Sequence, residues 1–375
     1  MLIWGKGING MKSKAMILEK FNKPLVLKEI KIPELSEGQV LVKMEVAGVC
    51  GSDVHMWKGE DPRITLPIIL GHEGGGKIVE IKGKKFTVDG YELNIGDTIL
   101  WNRGITCGRC YACNILKEPS LCQYRKTYGI NISNSSELCL GGCYSEYIVL
   151  DRKTDIFKVN DNIDTAILVS ASCSGATMAH GYDMFGKSLI GETVIVQGGG
   201  PLGVYAVAFA KNLGASNIIV IESSKPRLDL CKEFGATQTL NINELSKSER
   251  KDKIMDIING RGAALVVEAT GVKGVAEEGI KLVRKGGTYL SVGYAQPTGK
   301  EEIDFYADIV SRNLRIQGVW VSDTKHTMQA ISLVMNNIGK FEKLITHRFS
   351  LENANKAISI MNKKKALKAV LTFKR

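Results

Sequence analysis

The chain has 375 residues, of which 44% are hydrophobic, with 40 glycines and only 8 prolines. This length predicts two domains of an α/β protein. The absence of a long apolar run or secretory leader predicts a cytoplasmic location and no membrane partner. The formal charge is +11, but the basic residues are scattered and lack interleaved aromatic residues, so we expect no nucleic-acid partner.

The first part of the chain has the pattern of β-strands punctuated by glycine. KAMILEK and PLVLKEIKI alternate in polarity, and VLVKMEVAGVC runs directly into Cys50. This β-rich text predicts a small barrel.

From about residue 160 the pattern changes to apolar strands alternating with amphipathic helices. The strand-like runs include ETVIVQGG, NIIVIE, ALVVEATG, GTYLSVGY and RIQGVW, and the intervening helices end at Gly214 and Gly235. Repeated βα units predict a doubly wound parallel sheet. After Val321 this rhythm stops, and we expect the tail to return to the first domain.

A glycine-rich turn follows the first strand of this half. Gly198, Gly200 and Gly203 fit G-x-G-x-x-G, with Pro201 and Leu202 completing the motif. The motif alone is weak evidence, but its place between a strand and a helix predicts a dinucleotide site. Gly198 would allow a tight turn, Gly200 the approach of a pyrophosphate, and Gly203 close packing of helix on strand.

Glu222 ends the next strand, at the position where an acidic residue accepts hydrogen bonds from the cofactor's ribose hydroxyls. A carboxylate there repels a 2′-phosphate, so the sequence favours NAD over NADP. Lys225 and Arg227 follow closely, and cations can accommodate a phosphate. The alternative is a solvated glutamate at the end of a strand.

Four of the nine cysteines lie within one short segment with the spacing C-x2-C-x2-C-x8-C. They are Cys107, Cys110, Cys113 and Cys122. Four thiolates so spaced can surround one tetrahedral zinc ion and leave no open position, which predicts a structural site. Four unrelated buried cysteines are the alternative, but so much crowding argues against them.

Cys50 in GVCGSDVH and His72 in GHEGGG are candidate ligands of a second metal ion. Alone, each is ambiguous, because a single cysteine after a strand is usually a small core residue and a single histidine a satisfied polar group. Nearby residues raise the odds by offering carboxylates, a hydroxyl and an imidazole. They are Ser52, Asp53, His55 and Glu73.

The chain resembles the zinc-containing medium-chain dehydrogenase/reductase family of alcohol, polyol and threonine dehydrogenases. GVCGSDVH, GHEGGG, the four-cysteine segment, GGGPLG and Glu222 occur in the family's order at about its spacings, from about Met11 onward. The resemblance implies a GroES-like β-rich catalytic domain (1–170 and 322–375) and a Rossmann dinucleotide-binding domain (171–321). Residues 1–10 would then be an extension or a misassigned start.

The resemblance also implies residue roles. Cys173, in CSGAT, matches the third ligand of the catalytic zinc, and Thr177 matches a nicotinamide contact. Glu73 would be an occasional extra zinc ligand and Asp53 the partner of His72.

Zinc would then polarise the alcohol and the nicotinamide would accept hydride. Ser52 and His55 would relay the released proton.

We therefore expect an NAD(P)-dependent alcohol dehydrogenase with two zinc ions per chain, acting reversibly on primary or secondary alcohols. A polyol, sugar or threonine-type dehydrogenase of the same family is the alternative. Partners would be the small alcohol or carbonyl substrate and further copies of the chain, in a dimer or tetramer. A zinc-free quinone reductase, a non-catalytic NAD-binding protein and a zinc-ribbon nucleic-acid binder each leave part of this pattern unexplained.

Three features depart from the family's text. The last gap of the four-cysteine segment has eight residues where the family usually has seven, which a loop can absorb. Cys139 and Cys143 lie in an unusual stretch, where packing is the favoured interpretation and redox activity the alternative. Cys173 stands where polyol members often have glutamate, which leans toward simple alcohols.

Overall fold

The computed structural model describes residues 10–135 and 139–373. Nine of the ten residues before Met11 lie outside these ranges. The strands are β1 Lys12–Leu18, β2 Val26–Lys31, β3 Val40–Val49, β4 Ile68–Ile69, β5 Glu73–Ile81, β6 Thr98–Trp101, β7 Gly104–Ile105, β8 Lys126–Thr127, β9 Tyr147–Leu150, β10 Ile156–Lys158, β11 Thr193–Gln197, β12 Asn217–Glu222, β13 Gln238–Asn241, β14 Ala263–Glu268, β15 Val283–Ser291, β16 Arg315–Gly318, β17 Ile345–Ser350 and β18 Lys368–Thr372. The helices are α1 Gly51–Lys58, α2 Tyr111–Asn114, α3 Thr165–Leu168, α4 Ser174–Phe185, α5 Pro201–Asn212, α6 Lys225–Phe234, α7 Lys247–Ile257, α8 Val275–Leu282, α9 Thr324–Met335, α10 Ile338–Phe341 and α11 Ala354–Asn362.

The chain divides into two compact units, and the first comprises Met1–Cys173 and Ile345–Arg375. Its main sheet has seven strands in the order β10-β6-β5-β3-β18-β17, with β9 also paired to β3. Strand β3 is antiparallel to β5, β9 and β18 and is buried along most of its length. This β-rich unit confirms the strands expected in the first part of the chain.

Glycines at the start of β5 let neighbouring groups come unusually close. A Cβ on Gly76 would lie 2.2 Å from the Lys43 carbonyl oxygen, and one on Gly74 would lie 2.7 Å from the Cys143 sulfur. The GHEGGG text therefore serves packing as well as supplying His72.

The second unit, Ser174–Leu344, is built on a parallel sheet with the strand order β13-β12-β11-β14-β15-β16. This is the doubly wound arrangement, in which the strand order reverses between β11 and β14. The expected α/β fold class is confirmed. The alternation of strands and helices also includes β13 and the charged helix α7, which were not named from the sequence. Reciprocal hydrogen bonds between Ser246 and Glu249 set the start of α7.

The observed boundaries of the units differ from the expected ones. The first falls at 173/174 rather than 170/171, and the second at 344/345 rather than 321/322. Helix α9 follows Val321, but it packs against α4, so this stretch belongs to the second unit. The tail returns to the first unit only at β17, which pairs with β18 beside β3.

None of the helices in the described residues is both long enough and apolar enough to cross a membrane.

Candidate active site

Four potential metal ligands meet inside the first unit. Cys50, His72, Glu73 and Cys173 each offer an atom within 4.8 Å of the others. Cys50 directly follows β3, and His72 and Glu73 stand at the start of β5, which pairs with β3 so that Gly48 lies opposite Glu73. Cys173 follows a single 3-10 turn, Val169–Ser172. The structure therefore brings the three expected ligands and the expected extra ligand together.

Asp53 holds two of these ligands from behind. Its carboxylate accepts a hydrogen bond from the Cys50 N–H at 2.7 Å and lies 3.2 Å from His72 Nδ1. The Tyr144 hydroxyl donates a second hydrogen bond to the same carboxylate at 3.1 Å. Although burial opposes it, the Asp53 carboxylate raises the pKa of His72 to about 9. A metal ion at this imidazole therefore has to displace a proton at neutral pH.

A buried lysine from β18 faces the Glu73 carboxylate. Lys368 is 1% exposed and forms an ion pair with Glu73, which is itself fully buried. The negative charge of Glu73 outweighs burial and raises the pKa of Lys368, while burial raises the pKa of Glu73. Gly48 leaves room for the carboxylate, since a Cβ there would lie 2.2 Å from Glu73 Oε2.

A second buried cation contacts the third ligand. Arg103 is 5% exposed, and its guanidinium donates to Cys173 Sγ at 2.6 Å. The Cys173 thiol also donates a hydrogen bond to Cys50, which lowers the pKa of Cys50 well below its ordinary value. The Cys173 sulfur thus interacts with both a neighbouring thiolate and a guanidinium.

The donor set fits a divalent metal ion. Once His72 and the Cys173 thiol have lost their protons, the two cysteine thiolates and the carboxylates of Glu73 and Asp53 would carry four negative charges, against the two positive charges of Lys368 and Arg103. The excess of two negative charges in a buried region is what a divalent cation would neutralise. His72 Nε2 is also buried and has no hydrogen-bond partner among the described residues, as a ligating nitrogen would.

The two residues expected to relay a proton lie on α1, three positions apart and both half-buried. The Ser52 hydroxyl is 3.8 Å from the Cys50 sulfur. His55 Nδ1 is 2.5 Å from a carboxylate oxygen of Glu60, which fixes the ring. One end of this pair therefore touches a candidate metal ligand.

The four cysteines of the short segment form the second cluster. Their sulfur atoms all lie within 4.8 Å of one another. Backbone N–H groups of Cys110 and Arg109 point at the Cys107 sulfur, and the N–H of Cys107 points at Cys122. Such bonds favour thiolates. At Cys110 a backbone hydrogen bond from Cys113, together with the neighbouring thiols, lowers the pKa to about 6, although burial opposes it. The geometry fits a closed tetrahedral zinc site, and the eight-residue gap does not disrupt it.

Cys139 and Cys143 belong to neither cluster of candidate ligands. Cys139 is half-buried and Cys143 fully buried, and all nine cysteines are free thiols. Burial raises the pKa of both. These two residues therefore behave as packing residues.

The glycine-rich turn of the second unit has the geometry expected of a phosphate-binding loop. Gly198 has φ +104°, and a Cβ on Gly203 would lie 1.9 Å from the Gly198 carbonyl oxygen. A Cβ on Gly200 would meet only Arg227 Nη1, at 4.0 Å, so the backbone there is open. Pro201 and Leu202 begin α5, whose N-terminus favours an anion.

Glu222 ends β12 beside this turn. It accepts hydrogen bonds from the N–H groups of Gly199 and Ser224 at 2.8 and 3.0 Å, and Arg227 lies 3.7 Å away. Although burial opposes them, these bonds lower the pKa of Glu222. Thr177 lies in the first turn of α4, in the same unit.

Comparison with known proteins bears on these sites. Residues 36–161 match the family model for the alcohol dehydrogenase GroES-like domain, and residues 201–336 match the model for zinc-binding dehydrogenases. A 5-exo-hydroxycamphor dehydrogenase from Pseudomonas putida is 33% identical over 347 residues, which cover 92% of this chain and 94% of that protein. The chain belongs to the zinc-dependent medium-chain dehydrogenase/reductase family.

Other members of the family resemble the chain over nearly its whole length. An L-threonine 3-dehydrogenase from Shigella sonnei is 27% identical, covering 96% of this chain and 99% of that protein. The crystal structure of an alcohol dehydrogenase from Thermotoga maritima has a TM-score of 0.94 and 50% identity, covering 97% of this chain and all of that one. A zinc-binding dehydrogenase from Sinorhizobium meliloti, crystallised with NADP, has a TM-score of 0.82 and 28% identity, covering 97% of this chain and all of that one.

Three buried residues of this family member's site were not predicted from the sequence: Arg103, Tyr144 and Lys368. A charged residue in the otherwise apolar text KAVLTF was the signal for Lys368. Arg103 and Tyr144 gave no such signal, because their contacts depend on loops that approach the cluster only in the folded chain.

Proposed function

We propose that the chain catalyses reversible hydride transfer between an alcohol and NAD, with a catalytic zinc ion held by Cys50, His72 and Cys173. The buried cluster of these ligands carries the proposal, because its donor types and excess negative charge match a divalent ion. Zinc bound there would supply a Lewis acid, which favours the ionised form of an alcohol at neutral pH.

The surrounding side chains hold the ligands for that task. Asp53 would keep His72 Nδ1 protonated, so that Nε2 is left to bind metal. Lys368 would draw the Glu73 carboxylate away from the ion or release it as an extra ligand. Arg103 would stabilise the Cys173 thiolate.

Ser52 and His55 would carry the released proton toward solvent. The Ser52 hydroxyl lies next to Cys50, and His55 is oriented by Glu60 at the half-exposed side of α1. Replacing Ser52 with alanine should lower the alcohol oxidation rate about 100-fold while zinc content stays unchanged. Ser52→Thr, which keeps the hydroxyl, is the control. A wild-type rate in Ser52→Ala would remove this residue from the mechanism.

We favour NAD as the cofactor because Glu222 ends β12, where a carboxylate would repel a 2′-phosphate. Arg227 is 3.7 Å from that carboxylate and could instead pair with a phosphate, and the relative from Sinorhizobium meliloti contains NADP. The preference for NAD or NADP is therefore tested by measuring kcat/KM with each cofactor.

The proposed substrates are primary or secondary alcohols. The P. putida relative is named for a secondary alcohol, hydroxycamphor, and the T. maritima relative for alcohol in general. A threonine or polyol dehydrogenase is the second candidate, because whole-length similarity to L-threonine 3-dehydrogenase favours it.

A screen of primary alcohols, secondary alcohols, polyols and threonine, each with NAD and NADP, tests these proposals. We expect the highest kcat/KM for a simple alcohol with NAD. A preference for threonine or a polyol would favour the second candidate, and no oxidation of any of them would contradict the proposed function.

We further propose a structural zinc ion in the four-cysteine cluster. A homo-oligomer working in the cytoplasm is also a proposal, and size-exclusion chromatography of the natural protein measures its subunit number.

A further inference from the structure

Two buried histidines of the second unit stack on each other outside every motif considered above. His180 lies on α4 and His326 on α9, and they are 7% and 2% exposed. Their ring centroids are 4.4 Å apart and the ring planes differ by 30°. Burying two imidazoles is costly unless their nitrogens form hydrogen bonds. The hydrogen-bond partners of these nitrogens therefore indicate the role of the pair.

The partners fix a proton on His180 Nδ1 and the neutral form of His326. His180 Nδ1 lies 3.0 Å from the Val321 carbonyl oxygen, which can only accept, so this nitrogen carries a proton. His326 Nδ1 accepts the Asp323 N–H at 3.0 Å, and its Nε2 lies 3.4 Å from an Asp183 carboxylate oxygen. His326 is therefore neutral, and burial lowers its pKa to about 4. His180 thus donates a hydrogen bond to Val321, and the neutral ring of His326 stacks against it.

The residue that receives this hydrogen bond has a strained backbone. Val321 has φ +49°, a left-handed conformation that a β-branched side chain strongly disfavours. The other five non-glycine residues with positive φ in the described ranges are three asparagines and two lysines. Strain of this kind persists only where the surrounding structure enforces it, and it occurs often at ligand sites.

Val321 also lies at the edge of the sheet that binds ligands in this fold. It follows the carboxyl end of β16 by three residues, and the N–H of Val319 is tied to the Ser291 carbonyl at the end of β15 at 3.0 Å. Dinucleotides bind outside the carboxyl ends of such strands, one mononucleotide on each half of the sheet. The glycine-rich turn serves the half that begins at β11, and β14 to β16 form the other half.

We propose that His180 is a positioning residue for the dinucleotide, which holds Val321 left-handed through its Nδ1–H and so shapes the 319–323 segment for the second mononucleotide. His326 supports it by stacking and by fixing the Asp323 N–H. The inference rests on the proposed function, because it requires that the chain bind a dinucleotide.

The experiment measures NADH and NADPH binding by fluorescence titration in zinc-loaded protein. His180→Phe keeps a ring for stacking but removes the donor, and it should weaken binding of the preferred cofactor about tenfold, with KM for that cofactor rising and kcat nearly unchanged. Val321→Asn in the same chain should restore the affinity to within about threefold of wild type, because asparagine tolerates the left-handed conformation.

The rescue separates positioning from general packing. Wild-type affinity in His180→Phe, or an affinity that Val321→Asn does not restore, would overturn the inference. If His180→Phe does not fold, Val321→Pro asks the same question with both rings in place, because proline fixes φ near −65°. It should bind the cofactor weakly, and wild-type affinity in it would likewise overturn the inference. Failure of the wild-type protein to bind either cofactor would instead contradict the proposed function.

Discussion

At the scale of single residues, the candidate site is defined by buried charges more than by the metal ligands alone. Lys368 lies 295 positions after Glu73 in the sequence, yet the two form a buried ion pair. Removing one partner of such a pair leaves the other charge buried without compensation, which is more damaging than removing both.

Replacing Lys368 with methionine should therefore lower the free energy of unfolding by about 3–5 kcal/mol. Urea denaturation followed by tryptophan fluorescence measures this change. Lys368→Arg keeps the positive charge and is the matched control, with most of the stability retained. An unchanged stability in Lys368→Met would mean that Glu73 is not held as an ion by this lysine.

Glu222 gives a pH-dependent prediction at the same scale. Its hydrogen bonds lower its pKa below the ordinary value of 4.5, so they stabilise the fold above that pH and the stabilisation is lost as the pH falls through the lowered pKa. The melting temperature of wild type should exceed that of Glu222→Gln at pH 7, and the gap should shrink as the pH falls below 4.5. Any loss of zinc at acidic pH would lower the melting temperature of both proteins, so the difference between them reports on Glu222. A difference that stays constant with pH would contradict the lowered pKa of Glu222.

At the scale of elements, two glycines of the turn between β11 and α5 have different roles, although they belong to the same G-x-G-x-x-G motif. Gly203 is needed for packing, since a Cβ would meet the Gly198 carbonyl at 1.9 Å, whereas Gly200 faces open space. The sequence predicts close packing at Gly203 and the approach of a pyrophosphate at Gly200. These two roles require different surroundings, one crowded and one open.

Alanine substitutions at these two glycines should have different effects. Gly203→Ala should destabilise the protein by about 1–3 kcal/mol, because α5 must shift away from the turn. Gly200→Ala should leave stability nearly unchanged and weaken NADH binding, since its Cβ would occupy the approach to the pyrophosphate. Thermal denaturation and fluorescence titration measure the two effects, and equal losses of stability in both variants would contradict the separation.

At the scale of the whole molecule, the local sequence was sufficient to predict some structural features and not others. The strand that precedes Cys50, the strand that ends at Glu222, the parallel sheet and the glycine-rich turn all follow from periodicity and turn chemistry close in sequence. Cys173 had to come from family position, because nothing near it marks a ligand.

The contacts between distant segments could not be predicted. Arg103 reaches Cys173 across 70 positions. The second boundary lies at 344/345 because α9 packs on α4, and that packing is a tertiary choice invisible in the amphipathic pattern of either helix.

We propose that Cys173 completes a catalytic zinc site separate from the four-cysteine cluster. Zinc content per chain, measured by mass spectrometry together with alcohol oxidation in wild type and Cys173→Ser, tests it most directly. We predict two zinc ions in the wild type, one in Cys173→Ser, and oxidation reduced to background in the variant. A variant that keeps both zinc ions and oxidises alcohol at the wild-type rate would contradict the account.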